Sequence, residues 1–480
     1  MSMMGRAAEI NLLDEVMGST SAEMIALYGR RRVGKTYLIS EYFKNKGVYF
    51  ELTGRKEATK VVQLKNFTTV YADLFNQGAP IPLPADWDDA LTLLRKKIES
   101  LDPLAKVILF FDELPWLASR KSGFLEALDL FWNRYISRRA HTILIVSGSA
   151  TAWISKKIIL NKAGLHNRLT RPAIALMPFT LKETELFLHA EGVALERKQI
   201  IDLYMALGGI PYYLKLVPKG QSVAQILASL FFSKRAPLAT EFHNLFASLY
   251  EHPSKHIAII KALAETRQGL TQGELFEQVK TLSPGGGALA LLEELESSGF
   301  IMRLPQFGKK KKEARLRLID PFILFYIHWL EKGGCIDEAS WMRQMGTQRY
   351  QVWSGFTFEN ICFQHYRSLL KALELSVVAY VQSGWTYVPK KGVDEKGTQV
   401  DLVIDRADQC INLCEIKFYE SEVEIDKSYA TILRRKKTLF KEKTGTRKTL
   451  FTTLITPYGV KKNTLYFDAV DLSITMDALF

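Results

Sequence analysis

The chain has 480 residues, room for two to four domains at about 100–200 residues each. Its formal net charge is +13, with 47% hydrophobic and 24% charged residues, a globular composition that excludes a largely disordered protein. The basic balance points to nucleic acid, a phosphate ligand or an anionic surface as partner, or to no more than a solvated basic surface.

Residues Met1 to Ile10 contain no apolar h-region, so no secretory signal is expected. The apolar run Pro321 to Leu330 is too short to span a bilayer and contains His328, so no membrane partner is expected. Cys335, Cys362, Cys410 and Cys414 are few and irregularly spaced. They read as ordinary buried thiols in a reducing, cytoplasmic setting rather than a disulfide or zinc framework.

Residues 24–52 read as strand, Gly-rich turn, helix and strand: Met24 to Tyr28, Gly34 to Phe43, Val48 to Leu52. Two helices follow, separated by Pro82 and Pro84. Lys106 to Phe111 is a short apolar run expected to be a buried parallel strand, Phe124 to Ile136 a helix and Ile143 to Val146 another buried strand. This alternation predicts a doubly wound α/β domain over 1–178. Thr180 and Glu183 make a capping-box signature that opens a helical stretch over 179–249. Residues 250–330 read as three helices, with a second capping box at Thr271 and Glu274, and then a basic hairpin. A helix over Phe356 to Leu370 and strands at Trp385–Val388, Val400–Ile404, Ile411–Phe418 and Leu450–Ile455 predict a second α/β or α+β domain over 340–480.

Gly29-Arg30-Arg31-Arg32-Val33-Gly34-Lys35-Thr36 fits G-x-x-x-x-G-K-[ST] between a strand and a helix. Gly29 and Gly34 let backbone N–H groups wrap phosphates, Lys35 reaches the β- and γ-phosphates, and Thr36 can ligate Mg²⁺. The apolar strand ending in Asp112-Glu113 supplies a second Mg²⁺ ligand, Asp112, and a base for the attacking water, Glu113. Ser147-Gly148-Ser149 ends a third strand, where the hydroxyl of either serine, Ser149 or Ser147, can sense the γ-phosphate. Together these predict ATP or GTP binding and hydrolysis.

The sequence at this point resembles the archaeal-type ATPases of the AAA+/STAND-related P-loop class. The resemblance rests on Gly29–Thr36, Phe110–Glu113, Ser147–Ser149 and Leu207-Gly208-Gly209-Ile210-Pro211-Tyr212, which looks like the family's Gly-x-Pro lid motif. It implies an adenine-proximal box at Gly5-Arg6 with Glu9, and a phosphate-sensing arginine at Arg168 within Asn167-Arg168-Leu169-Thr170. Two positions depart from the family pattern: Met4 replaces the usual aromatic and Asn167 the usual glycine. The resemblance further implies a helical lid, a winged helix over 250–330 and a restriction-endonuclease-like domain over 340–480.

In that winged helix the expected recognition helix, Gly285 to Ser298, has no Lys or Arg and carries Glu293, Glu294 and Glu296. Major-groove reading by it is disfavoured. The hairpin Arg303 to Arg317 holds seven basic residues and one acid, enough to grip phosphates without reading sequence. Docking to other domains is the alternative use of the module.

Asp401 precedes a strand, and Glu415 and Lys417 share one face of the next. A hairpin turning near 405–410 would bring the three together. Two carboxylates can hold Mg²⁺ ions that activate water against a phosphodiester, and Lys417 can orient that water. The set resembles the Asp…Glu-x-Lys signature of PD-(D/E)XK nucleases, which implies a helix glutamate, Glu359, at the metal site. A Glu–Lys ion pair on an edge strand is the structural alternative.

The resulting expectation is a cytoplasmic ATPase whose nucleotide state, with Mg²⁺, gates a metal-dependent nuclease acting on nucleic acid, DNA in preference to RNA. The alternative is a nucleotide-dependent switch or scaffold with a non-cleaving nuclease-like module. A homo-oligomer or protein partner stays open. Charge is concentrated in three strips: +9 over Leu130–Lys182, +6 over Arg303–Arg317 and +7 over Arg434–Lys448. If aligned, they would form a phosphate-binding track.

Overall fold

The computed structural model describes residues 4–480 apart from 120, 150, 160–164, 284, 333–335, 390, 391, 393 and 394. The expectation for Cys335 falls outside the described residues. The chain divides into two units: Met1–Pro178 with Ser248–Tyr250, and Phe179–Ala247 with Glu251–Phe480. Among the described residues no helix is long and apolar enough to cross a membrane.

The first unit is built on five strands: β1 (Glu23–Tyr28), β2 (Val48–Thr53), β3 (Val107–Asp112), β4 (Thr142–Gly148) and β5 (Ile174–Ala175). They pair in the order β2-β3-β4-β1-β5, all parallel. The connections are helical, as parallel pairing requires: α1 (Ala7–Gly18) precedes β1, and α2 (Lys35–Phe43), α3 (Lys60–Phe75), α4 (Trp87–Glu99) and α5 (Phe124–Arg134) lie between strands. β3 and β4 are buried along their whole length, which is why they read as unbroken apolar runs. Phe50, Phe67, Trp87, Phe111 and Phe124 lie in one core, with the Trp87 and Phe124 rings edge to face at 4.7 Å. Pro82 and Pro84 do separate α3 from α4, and Asp86 caps the latter by accepting from the Asp89 N–H.

The second unit opens with α6 (Leu181–Ala190), where the Thr180–Glu183 capping box forms, and α7 (Arg197–Leu207). Gly208 and Gly209 end α7 at positive φ, and a Cβ on Gly209 would stand 2.2 Å from the Phe179 carbonyl oxygen. After shorter helices at Pro211–Leu214, Val223–Leu227 and Glu241–Leu249 come α8 (Ser254–Ala264), α9 (Gln272–Gln278) with the Thr271–Glu274 box, and α10 (Gly286–Ser297). A small antiparallel sheet completes this region, ordered β6 (Leu270–Thr271), β8 (Arg315–Leu318), β7 (Ile301–Leu304).

The remaining sheet is mixed: β9 (Tyr380–Tyr387), β10 (Thr398–Arg406), β11 (Cys410–Ile416), β12 (Thr449–Ile455) and β13 (Leu472–Ile474), in the order β13-β12-β11-β10-β9. β9 to β11 run antiparallel, whereas β11 to β13 are parallel. α11 (Gln348–Gln364) and α12 (Tyr366–Ala372) precede this sheet, and α13 (Lys427–Thr444) crosses from β11 to β12. The single helix expected over Phe356–Leu370 is thus two helices with an earlier start. They break at His365, whose Nδ1 donates to the Ile361 carbonyl and whose Nε2 accepts the Leu181 N–H at 2.9 Å. Cys362 and Cys414 are buried thiols, and Cys410 is half-buried.

The charge strips look different once folded, because many of their cations already have partners. In the third strip Arg434 pairs with Asp468, Lys436 with Glu415, Lys437 with Asp471, Lys443 with Glu395 and Lys448 with Asp405. In the hairpin Arg303 pairs with Glu296, Lys309 with Glu313, Arg315 with Glu274 and Arg317 with Glu359. In the first strip Arg168 pairs with Asp129 and Arg171 with Glu23. The acids of α10 serve the same end: Glu294 binds His256 of α8 and Glu296 binds Arg303.

Candidate functional sites

In the first unit the turn from β1 into α2 is shaped by three positive-φ residues: Gly29, Arg32 and Gly34. A Cβ on Gly29 would meet the Leu176 carbonyl oxygen at 2.2 Å, so only glycine fits there. Val33 and Arg30 are buried while Arg31 is exposed. Lys35 is buried too, and its ammonium donates to the Gly29 and Arg30 carbonyls at 2.9 and 3.3 Å. Burial holds its pKa below the ordinary lysine value, against the opposing pull of Glu113 and Asp112. Arg6 reaches the same turn, donating to the Val33 carbonyl at 3.1 Å, with Glu9 at 3.9 Å from its guanidinium.

Thr36 donates its hydroxyl to Asp112 Oδ2 at 2.6 Å, and Ser147 donates to Asp112 Oδ1. Asp112 ends β3 and Ser147 lies near the end of the adjacent β4, where Phe111 is paired with Val146. Glu113 follows in the left-handed region at φ 49°, an uncommon conformation for a side-chain-bearing residue. Its Oε2 accepts from the Ser149 N–H at 3.0 Å and from the Ser149 hydroxyl at 2.8 Å. Two serines of one strand end therefore fix the two acids of its neighbour. Both serines named from the sequence thus lie at the site, and what the sequence did not show is that each is bonded to one of the two acids. Arg168 sits half-exposed, with Nε 3.6 Å from Asp129.

These residues suit Mg²⁺ and a triphosphate. The turn has a Cβ-free approach at Gly34, a buried ammonium and a hydroxyl–carboxylate pair of hard oxygen donors.

The second unit holds another cluster. Leu402 is paired with Cys414 across the β10–β11 hairpin, and a register shift falls between Val400 and Val403, bracketing Asp401. Asp401 is buried; its Oδ2 accepts from the Ile416 N–H at 3.1 Å and lies 3.8 Å from Lys417 Nζ, and its Oδ1 accepts from Gln399 at 3.3 Å. Glu415, also buried, has a lysine on each oxygen: Lys417 at 2.7 Å on Oε1 and Lys436 of α13 at 2.5 Å on Oε2. Burial, then the Glu415 and Glu359 charges, push the Asp401 carboxyl up. Burial also opposes ionisation of Glu415, but the two ammonium groups outweigh it and hold that carboxyl down. The same carboxylates hold Lys417 above its ordinary value despite burial.

Glu359 faces this cluster electrostatically, yet its carboxylate is engaged by Arg317, buried and 2.7 Å away. Arg317 also donates to Asn360 Oδ1 at 2.6 Å and lies between the Phe356 and Phe363 rings, 4.8 Å from each centroid. Among the described residues no group of three or more His, Cys, Asp and Glu converges as a metal-ligand set. Asp401 and Glu415 remain as a two-carboxylate donor set that a divalent cation would share with Lys417 and Lys436. Lys436 and Arg317 were missed in the sequence, since both reach the cluster from separate elements.

Residues 3–217 match a family described as an ATPase domain predominantly from Archaea. An uncharacterised protein of Methanocaldococcus jannaschii is 23% identical over 443 residues, 90% of this chain and 91% of its own length. An uncharacterised ATP-binding protein of the same organism is 44% identical over 43 residues, 9% of this chain and 73% of its own. Among solved structures, a Walker-type ATPase of Pyrococcus abyssi is 18% identical at a TM-score of 0.47, covering 67% of this chain and 95% of that one. With the loop geometry above, the family match makes the amino-terminal region an ATP-binding ATPase domain.

Proposed function

We propose that this ATPase domain hydrolyses MgATP, and that its nucleotide state governs a phosphodiester-binding site in the second unit. The observation that carries the first half is the pairing of each acid with a serine: Ser147 on Asp112, Ser149 on Glu113. Lys35 neutralises phosphate charge where it now binds loop carbonyls, and Arg30, Arg31 and Arg32 add to the positive field of the turn. Thr36 and Asp112 would hold Mg²⁺, which supplies charge neutralisation on the phosphate oxygens. Glu113, held by Ser149, accepts the proton of the attacking water. Arg6 braces the turn through Val33, and Arg168 stands as the candidate sensing arginine once released from Asp129. The helical stretch after Pro178, with Pro211, is the lid through which nucleotide state would act.

For the second unit we adopt the reading of a winged helix over 250–330 and a PD-(D/E)XK-like domain over 340–480. Asp401 and Glu415 would be the metal ligands, Lys417 would orient the attacking water, and Glu359 would position the site through Arg317. Nucleic acid, DNA in preference to RNA, is the proposed substrate. Support comes from the exposed wing lysines Lys310, Lys311 and Lys312, and from Phe307, which packs on Phe440 of α13 at 4.9 Å. One observation favours a non-cleaving module instead: Lys436 occupies the Glu415 oxygen that a cation would need. Incubating the full chain with DNA and Mg²⁺ or Mn²⁺, with and without ATP, tests the choice. Nicking by wild type that is lost in Glu415→Ala is the expected result. Equal nicking by both removes the nuclease, and binding without nicking by either leaves the module as a binder.

A further inference from the structure

A cavity of about 380 Å³ opens in the second unit, lined by none of Asp401, Glu415 and Lys417. Its volume is in the range of small-ligand sites, ~300–1,000 Å³. One side carries three cations, Arg267, Lys332 and Arg349, against a single acid, Glu265, which lies 3.8 Å from Lys332. Arg349 spends its hydrogen bonds on one residue, donating to the His328 carbonyl at 2.7 Å and to His328 Nε2 at 3.3 Å. Among the described residues neither Arg349 nor Arg267 has a carboxylate partner. All three cations line the one cavity, and burial, then the charges of Arg349, Lys332 and Arg267, hold the His328 pKa down to about 4.

The rest of the lining is largely apolar, with Leu324, Ile327, Val352, Trp353 and Phe356, the last three following Arg349 at i+3, i+4 and i+7 on one face of α11. Two polar atoms in this lining have no partner among the described residues: the Trp353 indole N–H, on a side chain only 3% exposed, and the Thr266 hydroxyl. Buried donors are ordinarily satisfied, and those that are not ask for an unseen partner. Two arginines without carboxylate partners among the described residues, beside apolar and aromatic side chains with spare donors, match one kind of ligand.

The geometry points to a binding site for a small organic phosphate monoester with a flat ring body. The phosphate sits among Arg267, Lys332 and Arg349, and the ring lies against Trp353 and Phe356. This site is separate from the phosphate-binding loop and does not depend on its reading.

The probe is 1-naphthyl phosphate, titrated calorimetrically into the full-length protein. The expected result is one site per chain, weakened at least about tenfold in both Arg349→Gln and Arg267→Gln, as loss of one charged hydrogen bond requires. Inorganic phosphate and 1-naphthol should each bind at least about tenfold more weakly than the ester. Lys35→Ala should leave the affinity unchanged. Arg349 packs on Trp329, so its variant can perturb the fold, whereas Arg267 is exposed and its variant tests the site without that risk. No binding by wild type overturns the proposal. So do equal affinities in wild type and Arg267→Gln, naphthol binding as tight as its phosphate, and loss of binding in Lys35→Ala.

Discussion

The guanidinium of Arg317, on β8, bonds the carboxylate of Glu359, on α11, at 2.7 Å, and the arginine is 2% exposed. This pair ties the small antiparallel sheet to the helix that faces Asp401. Breaking a buried pair by removing one member typically costs about 3–5 kcal/mol, because the other charge is left without compensation. Glu359 is less buried than Arg317, so the lower end of that range applies. Arg317→Met should destabilise the protein by about 3 kcal/mol in urea denaturation. The double variant with Glu359→Gln should recover part of that loss. Equal stability of wild type and Arg317→Met would show that the pair does not hold these elements together.

His365 sets a pH limit on the fold. Burial holds its pKa down to about 4, against an ordinary 6.5. The unfolded chain therefore binds the proton more readily, and stability rises with pH between the two values. The contribution is fully present above about pH 6.5 and fades as pH falls through 4, for a total of up to about 3 kcal/mol. Denaturation midpoints taken from pH 7 to pH 4 should show this loss, and His365→Gln should flatten the contribution. An unchanged slope in that variant would assign the dependence elsewhere.

The first unit was largely legible in the sequence, and the reason is physical. Its buried parallel strands are continuous apolar runs, and its phosphate-binding turn needs glycines at fixed positions, as the 2.2 Å approach at Gly29 shows. The Asp401, Glu415 and Lys417 set was also visible, because strand alternation and a hairpin suffice to gather it. What was hidden depends on partners distant in the chain. Lys436 lies 21 residues from Glu415 and Arg317 lies 42 from Glu359. α13 was passed over although its caps were present: Asp426 accepts from the Tyr429 N–H, and Gly445 ends it at φ 65°. The charge strips misled for the same reason, since net charge along a segment ignores the acids that fold against it.

The exposed lysines of the β7–β8 connection, the wing of the proposed winged helix, carry the next expectation. Lys310, Lys311 and Lys312 have no carboxylate partner among the described residues, whereas Lys437 is paired with Asp471. If the wing holds a phosphodiester backbone, replacing its three lysines by serine should flatten the slope of log affinity against log salt by about 1 to 3. Lys437→Gln should leave the slope near the wild-type value. A fluorescence-anisotropy salt series on a labelled duplex measures both. A wild-type slope in the triple variant would remove the wing from the interface.

Lys35 and Asp112 separate nucleotide binding from metal use. Lys35→Ala should abolish detectable binding of a fluorescent ATP analogue. Asp112→Asn should retain metal-free nucleotide binding while losing most of the gain that Mg²⁺ gives. An unaffected Lys35→Ala would detach the turn from the nucleotide.

The most direct test of the account is ATP turnover by Glu113→Gln. The substitution keeps an acceptor for Ser149 and removes the base. Measured as phosphate release under saturating MgATP, turnover should fall about 10²–10⁴-fold while ATP affinity stays near wild type. Turnover equal to wild type would contradict the assignment of Glu113 as the hydrolytic base, and with it the mechanism proposed for this domain.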